Sequence, residues 1–326
     1  MIDVYGIEKY GNAPALVIED YGGINLKTFG AKYNSDYKVF VKIALQLAKT
    51  LGDVHHHNVV HKDIKPSNIL VHHDTHEVKL IDFGISTELE KENQIAVNPN
   101  VLEGTLEYMS PEQTGRMNRS LDYRTDFYSL GVTFYGLLCG ELPFASIDPM
   151  ELVHGHIARQ PLSPKEKNSS IPKSLSDIVM KLMSKTAEDR YQSASGLVAD
   201  LEKCLSVIEQ RNPDSVFELG EFDRNGKLPI PQKLYGRELE TNALLSAYER
   251  ISTGNSEIVL VSGFSGIGKS MLVNDIHKPV VEKRGYFISG KFDQFNRNIP
   301  YSSILQAFRE LVKQILAESD EHIKHW

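Results

Sequence analysis

The sequence predicts an α+β lobe, mainly helical, followed by the opening part of an α/β domain, and three observations predict it. Strand-like runs are few and stand before residue 82, whereas everything from about Asp122 to residue 206 carries apolar residues at helical spacing. Composition shifts near residues 207–233 to a mixed polar stretch that includes Gln210-Arg-Asn-Pro-Asp, Pro229 and Pro231, the pattern of a linker. Beyond it an apolar run, a Gly-rich turn, a helix and a second apolar run alternate, which predicts parallel strands joined by crossover helices.

The 326 residues favour two domains, and 41% hydrophobic with 24% charged residues supply enough apolar material for sizeable cores. The 36 Lys plus Arg against 43 Asp plus Glu leave a net charge of -7, so no basic excess points to nucleic acid or an anionic membrane. Cys139 and Cys204 are too far apart for a zinc or disulfide framework, which suits a reducing compartment. Met1 to Tyr10 lack a signal-peptide pattern, and Leu130 to Cys139 is about half the ~20 residues a bilayer requires. A cytoplasmic chain is expected. The histidines at 55, 56, 57, 61, 72, 73 and 76 show no metal-ligand spacing such as H-E-x-x-H, so they are read as ordinary side chains.

In chain order, Ala15-Leu-Val-Ile reads as a strand, Gly22-Gly23 as a turn, and about Tyr37 to His56 as a helix. Ile69 to Val71 and Val78 to Ile81 read as short strands around a polar turn. Phe127, Leu130, Phe134, Leu137 and Leu138 make one helix apolar nearly all round and therefore buried. Leu197, Leu201 and Leu205 predict the last helix before the linker. After the linker, Glu257-Ile-Val-Leu-Val-Ser reads as a buried strand, Met271 to about Lys278 as a helix, Tyr286 to Ser289 as a strand and Tyr301 to Glu318 as a helix.

Several short motifs stand in order. His61-Lys-Asp-Ile-Lys-Pro-Ser-Asn-Ile-Leu is followed by Asp82-Phe-Gly, then Gly104-Thr-Leu-Glu-Tyr-Met-Ser-Pro-Glu112, Asp126-Phe-Tyr-Ser-Leu-Gly131 and Asp189-Arg190. Together they resemble the catalytic loop, metal-binding motif, activation segment, anchoring helix and a buried arginine of serine/threonine protein kinases. The resemblance implies that Asp63 accepts the proton of the substrate hydroxyl and that Asn68 and Asp82 hold Mg2+ ions. It also implies that Lys65 steadies the γ-phosphate of ATP, that Thr105 bonds the Asp63 and Lys65 pair, and that Arg190 pairs with Glu112. Phosphoryl transfer is mostly positioning and charge stabilisation, which is why such residue types are wanted. Lys62 stands where regulated kinases carry Arg, and lysine lacks the bidentate grip on a phosphorylated loop.

Leu16-Val-Ile-Glu-Asp-Tyr-Gly-Gly resembles the strand and hinge between the two kinase lobes, placing Glu19 and Tyr21 near the adenine edge. No G-x-G-x-x-G or V-A-I-K stands before residue 61, so most of the nucleotide-clamping lobe is expected to be missing.

Gly263-Phe-Ser-Gly-Ile-Gly-Lys-Ser satisfies G-x-x-x-x-G-K-S between an apolar run and a helix. Backbone N–H groups around Gly263, Gly266 and Gly268 would cradle phosphates, Lys269 would reach the β/γ oxygens and Ser270 would ligate Mg2+. No Walker B run is recognisable. Leu234-Tyr-Gly-Arg-Glu-Leu-Glu upstream resembles the start of signal-transduction ATPases.

The order of these parts resembles large bacterial, notably cyanobacterial, multidomain kinases in which an AAA-like ATPase, a sensor region and a histidine kinase follow. Glu112 to Asp126 and Gly285 to Tyr301 carry stretches that look like that family's own. The expectation is therefore a kinase-like C-lobe at 1–206, a linker at 207–233 and the N-terminal part of a P-loop NTPase domain at 234–326, cut at both ends. It implies ATP-dependent phosphorylation of a protein Ser or Thr. The competing expectation is a non-catalytic nucleotide-binding or interaction module.

Overall fold

The computed structural model describes residues 2–11, 13–33, 36–88, 104–115, 121–210, 217–223, 236–264, 267–274, 276, 279–280, 283, 285–290 and 301–316. Two compact units emerge. The first comprises Met1–Gln94, Leu121–Pro143 and Pro161–Leu228, and the second Ile95–Ser120, Phe144–Gln160 and Pro229–Trp326.

The first unit opens with a hairpin. Strand β1 (Val4–Tyr10) runs antiparallel to β2 (Ala13–Ile18), with Tyr10 opposite Ala13 and Val4 opposite Ile18. β2 contains the expected run, whereas β1 has no counterpart in the sequence reading. Val4, Tyr5, Ile7 and Tyr10 are all exposed, so the one-sided burial that produces a clean alternation is missing there. A second sheet has the order β3 (Ile24–Asn25), β5 (Ile69–Val71), β6 (Val78–Leu80), all antiparallel. A third pairs β4 (Val59–Val60) with β7 (Thr87–Glu88).

Helices supply the core. Helix α1 (Leu26–Tyr33) is followed by α2 (Tyr37–His56), which starts where the Asp36 carboxylate accepts the N–H groups of Lys38 and Val39 at 3.1 Å. Val41, Ala44, Leu47, Ala48 and Leu51 form the buried face of α2, at the i, i+3, i+4 spacing of an amphipathic helix. Val41, Leu47 and Leu51 each contribute about 1.5–3 kcal/mol by leaving water. Helix α3 (Arg124–Cys139) is buried nearly all round, as its composition requires. Gly131 allows the close approach of α3 to the end of α6 (Lys173–Leu182), since a Cβ there would lie 2.8 Å from Leu182 and Met183 side-chain atoms. Short α5 (Pro164–Lys167) precedes α6, and α7 (Ala194–Glu209) packs along α2.

Residues 217–223, inside the segment whose composition reads as linker, fold back onto α7. Asp223 accepts the Gln192 N–H and the Ser193 hydroxyl, both at 2.7 Å, while Asp200 accepts the Gly220 N–H and the Tyr191 hydroxyl, also at 2.7 Å. Lys203 pairs with Glu221 at 2.6 Å and lies over the Phe222 ring. Composition signals a loop but carries no trace of these long-range partners.

In the second unit, Ser110 and Gln113 form a reciprocal capping box around the turn Pro111–Thr114. Helix α4 (Pro149–Ile157) buries Val153 and Ile157 against Leu106. Helix α8 (Glu238–Ile251) packs on α9 (Lys269–Asn274), and α10 (Ser302–Leu316) follows. The expected parallel sheet is not formed among the described residues. No strand is assigned at 257–262 or 286–289, and Ile258 and Leu260 are 97% and 89% exposed. An extended run becomes a strand only when a neighbour takes its N–H and C=O groups, and no such neighbour is present among the described residues. No helix among them is long and apolar enough to cross a membrane.

Candidate functional site

The loop between β4 and β5 is shaped from below by α3. The Asp126 carboxylate, fully buried, accepts the His61 N–H at 2.9 Å and the Lys62 N–H at 2.8 Å. The same carboxylate bonds the His55 ring at 2.9 Å, at the end of α2. These contacts hold Lys62 at φ 69, a left-handed conformation that a lysine adopts only when its surroundings impose it. The kinked backbone then carries Asp63 into the site.

His61 ties this loop to the Asp82 motif. Its Nδ1 accepts the Asp63 N–H at 3.3 Å, so its Nε2 carries the proton and donates to the Ile81 carbonyl at 3.0 Å. Its ring lies 4.6 Å from that of Phe83. Asp82 itself is left-handed, at φ 64, with its Oδ1 accepting the Gly84 N–H at 3.3 Å. The two segments are linked again where the Ile81 N–H donates to the Asn68 carbonyl at 2.9 Å.

Around Asp63 the polar groups converge. Asn68 donates from Nδ2 to the Asp63 carboxylate at 2.9 Å and to its carbonyl at 3.0 Å, and Lys65 reaches the same carboxylate oxygen at 2.6 Å. Asp63 and Asn68 are 7% and 5% exposed, so these charge-assisted bonds act where water screens them little. The Asn68 amide nitrogen is committed to Asp63, and its Oδ1 accepts the Ser67 hydroxyl at 3.3 Å, which leaves one lone pair of that oxygen for a cation. Asp63, Lys65, Asn68 and Asp82 are thus placed on one folded unit.

Glu19 and Tyr21 lie in the same unit. Glu19 is paired with Lys79 and accepts the Asp3 N–H at 3.0 Å, and these bonds hold its carboxyl below the usual carboxylate range while raising Lys79. The Lys79 ammonium sits 4.7 Å from the Tyr21 ring centre, and burial together with Glu77 raises the Tyr21 phenol. The sequence reading missed Lys79 and His55 as organisers, since their partners Glu19 and Asp126 are remote in the chain, and it gave His61 no role beyond opening the catalytic-loop motif.

Thr105 belongs to the second unit, where it precedes the turn Leu106–Tyr108. Glu112 and Arg190 are both buried, and Arg190 donates to the carbonyls of Ser184, Arg124 and Lys185 at 2.8, 3.0 and 3.2 Å.

The Gly-rich turn of the second unit is closed by its own lysine. Lys269 donates to the carbonyls of Gly263 at 2.9 Å and Phe264 at 2.8 Å. Gly268 takes φ 93, which a side chain would resist, and the Leu272 N–H bonds its carbonyl at 3.0 Å to start α9. Ser270 is exposed on the first turn of that helix. Gly266, Leu234 and Tyr235, and residues 116–120 and 291–300 of the two family-like stretches, lie outside the described residues.

Residues 1–200 match the protein kinase domain family and residues 233–326 the AAA ATPase domain family. A hybrid signal transduction histidine kinase of Dictyostelium discoideum is 33% identical over an alignment covering 87% of this chain and 11% of that protein. A probable serine/threonine-protein kinase of Clostridium perfringens is 38% identical over 62% of the chain and 29% of its own length. The serine/threonine-protein kinase PknB of Mycolicibacterium smegmatis is 30% identical over 68% of the chain and 35% of its own length. The chain therefore spans between about a tenth and a third of these relatives.

Proposed function

The chain belongs to the protein kinase family, and from that membership we propose that it is an ATP-dependent serine/threonine kinase segment joined to an ATP-binding P-loop domain. The observation that carries the reading is the convergence of Asn68 and Lys65 on the Asp63 carboxylate, at 2.9 and 2.6 Å. Asp63 orients the hydroxyl of a protein serine or threonine and receives its proton, which general-base positioning requires. Lys65, beside it, steadies the negative charge of the transferred group.

The donor set fits a hard cation. Asn68 Oδ1 and the Asp82 carboxylate are oxygen ligands, the type that Mg2+ selects over softer metals. Mg2+ held there would offset the negative charge of the ATP phosphates. In the second unit, Lys269 and the N–H groups of the Gly-rich turn bind phosphate, with Ser270 as the oxygen ligand for Mg2+. To serve ATP, Lys269 exchanges the carbonyls of Gly263 and Phe264 for phosphate oxygens. Glu19 and Tyr21 border the base of the nucleotide.

Similarity to a hybrid signal transduction histidine kinase supports a place in signalling, with sensor and histidine-kinase domains as expected company. The test is calorimetry with Mg-ATP together with transfer of radiolabelled phosphate, on the full chain and on Asp82→Asn and Lys269→Ala variants. Transfer abolished by Asp82→Asn and retained by Lys269→Ala supports the kinase reading. No transfer, with binding lost only in Lys269→Ala, would leave a nucleotide-binding module instead.

A further inference from the structure

The turn between β5 and β6 brings together three metal-ligating side chains that the kinase chemistry does not use. One nitrogen each of His72 and His73 and one carboxylate oxygen of Asp74 lie within 4.8 Å of one another, the one such group found among the described residues. We propose that this turn is a binding site for a borderline divalent cation of the Zn2+ class.

The backbone prepares the site. The His72 N–H bonds the Glu77 carbonyl and the His76 N–H bonds the His72 carbonyl, both at 2.9 Å, while the Glu77 N–H bonds the Thr75 hydroxyl at 3.3 Å. The turn is thus closed before any cation arrives, and little ordering remains to oppose binding. His73 Nε2 and Asp74 Oδ2 are already 3.1 Å apart. Two ligands of one tetrahedral zinc, each about 2.0–2.2 Å from it, are separated by a similar distance. The His72 ring stacks beside His73, with centroids 5.1 Å apart and planes at 23°. Small rotations of the two exposed side chains, 60% and 73% open for His73 and Asp74, close the remaining gap.

His72 Nδ1 accepts the N–H groups of Asp74 and Thr75 at 3.4 Å, the long end of the hydrogen-bond range. Its Nε2 has no partner among the described residues, and ligation exchanges only those two long contacts. Two imidazoles and one carboxylate, with open positions toward solvent, suit zinc, and the all-oxygen set of Asn68 and Asp82 suits magnesium. The two metals are sorted by ligand chemistry within one unit. Asp74 and the neighbouring Glu77 supply negative charge, and Cys139 and Cys204 do not compete, because burial pushes both thiols up to about 11.

Binding here would brace the hairpin that carries Asn68 at its entry and Asp82 just beyond its exit. It would also touch the hinge, because the His72 ring meets the Tyr21 ring edge-on at 5.9 Å.

The test is calorimetric titration of Zn2+ into the full chain in excess Mg2+, with Co2+ absorption as a second probe of nitrogen ligation. The expected result is one saturable equivalent, weakened at least about tenfold in His73→Ala and in Asp74→Asn and unchanged in His56→Ala. Both variants alter exposed side chains, and circular dichroism verifies their folding. Equal binding by wild type, His73→Ala and Asp74→Asn would overturn the proposal, as would no saturable component in wild type. Phosphate transfer is not part of the readout, so failure here is separable from failure of the kinase reading.

Discussion

The carboxylate of Asp126 and the backbone N–H of Lys62 are 2.8 Å apart although 64 residues separate them in the chain, and this bond sets the left-handed bend that delivers Asp63. Asp126→Ala leaves the N–H groups of His61 and Lys62 buried without an acceptor and removes the partner of His55. The expected loss is about 3 kcal/mol of stability, with phosphate transfer abolished. Urea unfolding followed by circular dichroism measures the first. An unchanged midpoint would show that the loop holds its own shape.

Asp63→Asn keeps the size of the side chain and removes the proton acceptor. Transfer should fall by about 100- to 10,000-fold, with Mg-ATP binding retained. Single-turnover transfer and calorimetry on the same sample separate the two effects.

Lys269→Ala removes the cation of the Gly-rich turn and its bonds to Gly263 and Phe264. Nucleotide binding by the second unit should be lost, while the thermal unfolding of the first unit stays in place. Binding of a fluorescent ATP analogue by residues 229–326 within the full chain, monitored with Asp82→Asn as background, provides the check.

Cys204 has no exposure, and burial raises its thiol from about 9 to about 11, only partly offset by the Ser174 hydroxyl. The raised value fixes the sign. Below pH 9 both folded and unfolded thiols are protonated and the stabilisation is whole; as pH climbs toward 11 only the unfolded thiol ionises, and stability falls. Cys139, half-buried and raised to about 11 also, adds to the same window. Urea midpoints should therefore decline between pH 9 and 11, with a shallower slope in Cys204→Ala.

Asp223→Ala cuts both bonds from the 217–223 segment to the start of α7. A loss of about 1–2 kcal/mol is expected, with faster cleavage by trypsin after Lys203 or Arg211. Limited proteolysis of variant and wild type at equal temperature decides it.

Asp63, Lys65, Asn68 and Asp82 were singled out through their resemblance to kinase motifs, and in the structure Lys65 and Asn68 meet on the Asp63 carboxylate. Helices α2 and α3 were legible too, since one has a clear apolar stripe and the other is apolar all round. What stayed hidden depends on partners far along the chain. His55 meets Asp126 across 71 positions, Lys79 meets Glu19 across 60, and Asp223 meets Ser193 across 30. Local pattern says nothing of such pairs. The opposite failure occurred at 257–262, where an apolar run promised a buried strand but sheet formation also requires a neighbour.

The anchoring of the loop by α3 has a bearing on inheritance. The instructions for the shape of the Asp63 loop are stored in a helix outside it, chiefly in one aspartate. A change at position 126, far from the loop along the chain, therefore reaches the loop's shape without altering any of its residues. Shape and chemistry are kept in separate parts of the gene.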